Sequence, residues 1–120
     1  MTIMLDTNII ISAALFPNGR TAEAFFKALQ PPYQPVICDY VVDELHRKFG
    51  EKFPQRLTEL VPTPEESVDA ESKIRDPKDR PILRAALDAN VDLFLTGDKD
   101  FLESSVTDPR IISVPDFLAM

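Results

Sequence analysis

The chain has 120 residues, 44% of them hydrophobic and 28% charged, which suits one globular domain (1–120) and leaves no apolar run near the roughly 18 residues of a membrane span. A formal net charge of −7 and a pI near 4.6 argue against holding nucleic acid by bulk positive charge, unless several acids are clustered metal ligands whose bound cations offset part of that charge. A lone Cys38 cannot close an internal disulfide, and Asp6 interrupts the first apolar run before it could act as a secretory signal, so a cytoplasmic setting is expected.

Ile3, Met4 and Leu5 form a short, continuously apolar run, the pattern of a strand buried on both faces of a parallel sheet. Asn8 to about Leu15 reads as a buried helix stopped by Phe16-Pro17-Asn18-Gly19. Thr21 is the expected N-cap of a helix with Ala22, Phe25, Phe26 and Leu29 on one side, ended by Pro31-Pro32. Pro35 to Cys38 is the second strand, and Asp39 caps a helix whose apolar stripe is Val41, Val42, Leu45 and Phe49. Glu44 borders that stripe, about 100° round the wheel from Leu45, so it can face the sheet edge while its helix stays packed. Gly50 and Pro54 separate this helix from a short one through Leu57 and Leu60, and Pro62 to Glu66 is a loop. The segment from Ser67 to Lys73 has no clear pattern.

Pro81 belongs in a first helical turn, which puts Asp79 at the N-terminus of the helix carrying Ile82, Leu83, Ala85 and Ala86. Asp92 to Thr96 is a third strand, closed by Gly97-Asp98-Lys99-Asp100 and a helical turn at Phe101-Leu102. Ile111 to Val114 is a fourth, and Pro115-Asp116 opens a last stretch of helix. Strands alternating with helices, every link too long for a hairpin, predict an α/β fold: three layers, α/β/α, around a central parallel sheet.

In such a sheet the site lies beyond the carboxyl ends of the strands, where strand order reverses. Asp6 ends the first strand, Glu44 is on the helix after the second, Asp79 heads the helix before the third, and Asp98 follows the third. Singly, Asp79 could be a cap, Asp98 and Asp100 turn residues, and Glu44 part of a solvated face. Asp6 resists that reading, because the end of a buried strand is a poor place for an unpaired carboxylate. Together the four would hold a cation or be protonated. Only oxygen ligands are on offer: Cys38 and His46 stand alone and are read as a buried strand residue and a surface residue, so Mg²⁺ or Mn²⁺ is favoured over zinc. Carboxylate-held divalent cations suit phosphodiester hydrolysis. No serine sits in a nucleophile elbow, and the three glycines, Gly19, Gly50 and Gly97, form no phosphate-cradling loop. Lys73, Arg75, Lys78, Arg80 and Arg84 crowd around Asp79, while Arg47, Lys48, Lys52 and Arg56 follow Glu44; of these, Lys78, Arg80 and Arg84 are expected to grip substrate phosphates.

Leu-Asp-Thr-Asn at 5–8, Cys-Asp-Tyr-Val-Val-Asp-Glu-Leu ending at Leu45, Asp-Pro-Lys-Asp at 76–79 and Leu-Thr-Gly-Asp-Lys-Asp-Phe at 95–101 together resemble the PIN-domain family over nearly the whole chain. The resemblance is strongest to bacterial toxin components of toxin-antitoxin pairs, of the VapC type. It implies a parallel sheet ordered 3-2-1-4-5 and an Mg²⁺- or Mn²⁺-dependent endoribonuclease acting on single-stranded RNA. It also implies a homodimer neutralised by a cognate antitoxin. The family's acids fall on Asp6, Glu44, Asp79 and Asp98 as metal-holding, catalytic residues, with Asn8, Thr96 and Asp100 in support; Cys38 stands where many members carry serine. The alternative is a receiver-like or other acidic-site signalling or binding domain without nuclease activity. A receiver-like site, however, wants adjacent acids where Asp6 has no acidic neighbour, and it would leave Glu44 idle.

Overall fold

The computed structural model describes residues 1–49 and 59–120, with side chains through Arg47 and again from Glu59. Strand β1 (Thr2–Leu5) is followed by helices α1 (Thr7–Leu15) and α2 (Arg20–Ala28). Then come β2 (Gln34–Cys38), α3 (Asp39–Phe49) and β3 (Glu59–Val61). A 3-10 turn (Asp69–Lys73) leads into α4 (Arg80–Asp88), β4 (Leu93–Leu95), α5 (Lys99–Leu102), β5 (Arg110–Ile112) and α6 (Val114–Leu118).

All strand pairings are parallel, and the sheet order is β3-β2-β1-β4-β5. Successive strand residues point to opposite faces, so the complete burial of Ile3, Met4 and Leu5, and near-complete burial of Leu93, Phe94 and Leu95, means that helices cover both sides of the centre. That arrangement is the expected three-layer α/β/α sheet. The chain leaves β1 towards β2 on one side and later returns to β4 on the other, so strand order reverses between β1 and β4. The carboxyl ends of these two neighbours are in register, Leu5 opposite Leu95. The amide of Asp6 donates to the carbonyl of Leu95 (3.1 Å), and that of Thr96 to Ile112 (3.1 Å). The ladder therefore reaches the first residues beyond the strands and places Asp6 and Thr96 side by side.

Several local expectations differ from the structure. Leu60 lies in edge strand β3, pairing with Ile37, and not in a helix. The rest of that expected helix, with Leu57, lies outside the described residues, as do Gly50, Lys52, Pro54 and Arg56. A three-residue strand on a sheet edge has no alternating pattern long enough to read, and Leu60 is exposed. The N-cap of α2 is Gly19, not Thr21. Residues 67–73, patternless in sequence, hold the 3-10 turn; its buried residue is an acid, Glu71, which hydrophobic periodicity cannot reveal.

The C-terminal helix is fastened to α2. Lys27 Nζ donates to the carbonyls of Phe117 (2.6 Å) and Met120 (3.0 Å) and lies 4.6 Å from the centre of the Phe117 ring. A cation there meets backbone oxygens at the C-terminal end of the helix, where the peptide dipoles make the field negative.

Candidate metal centre

Asp6 is 4% exposed and caps α1: its Oδ1 accepts from the Thr7 amide (2.7 Å), while Oδ2 accepts from the Thr96 hydroxyl (2.6 Å). The Thr96 oxygen in turn accepts from the amide of Asp98 (3.0 Å), and Asp98 Oδ1 accepts from the amide of Asp100 (2.9 Å), capping α5. On the other side, the Thr7 hydroxyl donates to Glu44 Oε1 (3.3 Å). One chain of hydrogen bonds thus runs from Glu44 through Thr7, Asp6 and Thr96 to Asp98, across the carboxyl ends of β1 and β4. For Asp6 and Asp98 the helix cap and the candidate site are the same residue: one carboxylate oxygen of each accepts from a backbone amide.

Asp79 occupies the N-cap position of α4, but its side chain makes no capping bond. It is turned instead towards Asp98, with which it shares a hydrogen bond, and its pKa is pushed up to about 7 by burial, then by Asp98, with smaller contributions from Asp6 and Asp76. The Asp6 carboxyl is raised to about 6. Burial is the largest cause, opposed by the bonds from Thr96 and Thr7 and reinforced by Asp98 and Glu44. Asp6 thus interacts with the other three expected acids, and Asp6 and Asp79 hold their charge at an energetic cost.

The closest-set carboxylates among the described residues are a different trio. Oxygens of Asp76, Asp79 and Asp100 all lie within 4.8 Å of one another, at half-buried positions. Asp76 is absent from the sequence-based set; the readable signal was the pair of acids three apart in Asp-Pro-Lys-Asp, and its Oδ1 is fixed by the amide of Lys78 (3.0 Å). Asp79 belongs to both groups and joins them. Asp100 already has a cation, Arg75 at 3.0 Å, whereas the Asp6 and Asp79 carboxyls are raised, first by burial and then by neighbouring acids. An all-oxygen, carboxylate-rich donor set fits a hard divalent ion.

The supporting residues sort unevenly. Thr96 is buried and binds Asp6 as the sequence suggested, but Asn8 is exposed, and its neighbour Thr7 supplies the hydroxyl that reaches Glu44. A helix starting one residue earlier than expected, at Thr7, rotates Asn8 outward. Arg84 is turned inward onto protein partners, and Arg80 is half-buried with its Nε on a backbone carbonyl. Arg84 spans both carboxylate oxygens of Glu71 (2.8 and 3.2 Å) and donates to the carbonyls of Pro64 (2.7 Å) and Glu65 (3.3 Å), while Arg80 Nε donates to the carbonyl of Ile74 (2.9 Å). Both guanidiniums anchor the loop before α4. Arg84 in particular holds the Glu71 carboxyl below its usual range against the opposing push of burial. Lys78 is exposed beside Asp79. Cys38 is buried, which pushes its thiol up, and His46 is exposed, as read from the sequence.

A family model described as PIN domain matches residues 2–100. The chain belongs to the PIN-domain family. No functionally curated protein matches it. Among solved structures, this PIN domain is similar in fold to a chain in the crystal structure of VapBC2 from Rickettsia felis bound to a DNA fragment from their promoter. That match has a TM-score of 0.68 and 14% identity, over 94% of this chain and 98% of the other.

The raised carboxyls make the metal-free PIN domain sensitive to pH in a defined direction. Asp6 and Asp79 bind protons more tightly folded (about 6 and about 7) than at their ordinary value of 3.8, so the unfolded chain releases those protons first as pH rises. Their contribution is full below about 3.8 and lost through 6 to 7. Thermal melts in a chelator should therefore show stability falling from pH 5 to pH 8. Asp6→Asn should flatten the lower part of that fall and Asp79→Asn the upper part, and a metal-free stability that climbs over this range would contradict the assignment.

Proposed function

We propose that this PIN domain is an Mg²⁺- or Mn²⁺-dependent endoribonuclease that cleaves single-stranded RNA, the toxin of a toxin-antitoxin pair of the VapC type. The observation that carries the reading is the convergence of Asp6, Glu44, Asp79 and Asp98 beyond β1 and β4, with the Asp6 and Asp79 carboxyls raised by burial and neighbouring acids. These four would hold the ion. When bound, it supplies a water of lowered pKa and stabilisation of the leaving oxygen.

The chain's own groups prepare that chemistry. Thr7 and Thr96 fix both oxygens of Asp6, so its orientation does not depend on the ligand. The α5 N-terminus and the Asp100 amide do the same for Asp98. A receiver-like binding role gives no reason for Glu44 to be tied to Asp6 through Thr7.

The proposed partners are an RNA substrate, a cognate antitoxin and a second copy of the chain, in a cytoplasmic setting with no membrane. Family membership supports the nuclease class, and the name VapBC2 on the similar structure, a complex bound to promoter DNA, supports the antitoxin. At about a hundredfold excess over its dissociation constant, Mn²⁺ should stabilise the folded protein by about 2.7 kcal/mol. The same preparation should cut single-stranded RNA, and a melting curve indifferent to Mn²⁺ would remove the site. Growth arrest on expression, relieved by Asp79→Asn, would mark a toxin; harmless expression of an active nuclease would mark an RNA-processing enzyme.

A further inference from the structure

A cleft of about 580 Å³ opens beside the four acids, lined by Tyr40, Glu44, Arg47, Asp76, Lys78 and Asp79. Its volume is in the roughly 300–1,000 Å³ range of small-ligand sites. The lining is uneven in kind: acids on the side of the metal centre, two cations, and one aromatic ring. Tyr40 is half-buried, packed in part on the hydrophobic core and in part against the cleft, so the ring is held by packing before any ligand arrives. Arg47 and Lys78 are exposed, and neither forms an ion pair among the described residues. Among the described residues Arg47 makes one bond, a long one from Nε to the carbonyl of Asp43 (3.4 Å).

Resting on the ribonuclease reading, we propose that Tyr40 is a base-stacking platform that positions one unpaired RNA nucleobase next to the scissile phosphate, with Arg47 and Lys78 holding the flanking phosphates. An aromatic face accepts any base, and phosphate-binding cations on either side carry no sequence information, so the cleft selects strand state and not sequence. A base inside a duplex is already stacked on both sides and cannot reach the ring. Single-strand preference then follows from the shape of this cleft. The cations also answer the charge problem: a chain of net charge −7 can attract RNA where Arg47 and Lys78, without an ion pair among the described residues, stand beside acids that a divalent ion would neutralise.

The test uses the full chain and a short fluorescent single-stranded RNA, with anisotropy read on an Asp6→Asn background and cleavage read on the parent. Tyr40→Ala should weaken binding roughly ten- to hundredfold, seen also as a rise in KM, while leaving the Mn²⁺-induced melting shift of the Asp6-containing protein intact. Tyr40→Leu, which keeps the packing and removes the aromatic face, should lose as much, and Tyr40→Phe should bind within about twofold of its background. Undiminished binding by Tyr40→Ala or Tyr40→Leu, a loss in Tyr40→Phe as great as in Tyr40→Ala, equal affinity for the duplex, or no RNA binding at all would each overturn the inference. Failure of the ribonuclease reading looks different: no Mn²⁺ shift and no cleavage in the parent, with a Tyr40-dependent affinity for RNA still measurable.

Discussion

Asp6→Asn should make the metal-free protein more stable and the metal-treated protein inactive. At pH 8 the buried Asp6 carboxylate is ionised although its folded pKa is raised from 3.8 to about 6. At 1.36 kcal/mol per unit, that difference costs the native state about 3 kcal/mol. An asparagine removes the charge but can accept only one of the two bonds now made by Thr7 and Thr96, a loss of about 1 kcal/mol. The net gain is about 2 kcal/mol in chelator, shrinking towards pH 4 where aspartic acid is itself neutral. In Mn²⁺ the order reverses, since the parent gains about 2.7 kcal/mol at a hundredfold excess, a rise of about 10 °C for a chain of this size, and the variant gains little. Cleavage of single-stranded RNA should fall below detection. Calorimetry in chelator and in Mn²⁺, with RNA cleavage on the same samples, checks each part. A variant less stable than the parent in chelator at pH 8 would mean that Asp6 is a structural cap and nothing more.

Arg84→Ala should unfold more of the protein than any other exchange of a basic residue among those described. The guanidinium is 13% exposed and its partner Glu71 9%, and deleting it strands a carboxylate and two carbonyls of the loop before α4. Breaking a buried pair from one side costs about 3 kcal/mol, or roughly 10–15 °C in melting temperature. Arg84→Lys should recover only part of this, because an ammonium cannot span both Glu71 oxygens and reach the carbonyls as well. The double exchange Arg84→Met and Glu71→Gln should recover more, since it removes the stranded charge. A full-strength melt for Arg84→Ala together with lost RNA binding would return this residue to the substrate-contact role that its sequence position suggests.

Much of the scaffold is legible in the chain because parallel strands buried on both faces are continuous apolar runs, and helices carry their own punctuation. Ile3 to Leu5, Asp92 to Thr96 and the Pro81 start of α4 are all local patterns, and the PIN-like sheet order follows once the family is recognised. Strand β3 escaped because three residues on an exposed edge have no period. Three of the acids, Asp6, Asp79 and Asp98, were found for a related reason: each stands where a helix begins, a local event in sequence, whereas Glu44, inside α3, was read from its place beside the helix's apolar stripe.

What the sequence by itself determined is most of the elements, their parallel arrangement, and the carboxylates Asp6, Asp79 and Asp98 at helix starts with Glu44 beside the α3 stripe; these depend on neighbours along the chain. What only the tertiary structure decided is which polar groups meet. It brought Thr7 to Glu44 and left Asn8 exposed, added Asp76 to the acidic cluster, and set Arg84 on Glu71 and Arg80 Nε on the Ile74 carbonyl. The physical reason is that an arginine's sign can be read from one position, but its partner is set by burial and hydrogen-bond geometry beyond its own helix, six residues away for Arg80 and Ile74 and thirteen for Arg84 and Glu71.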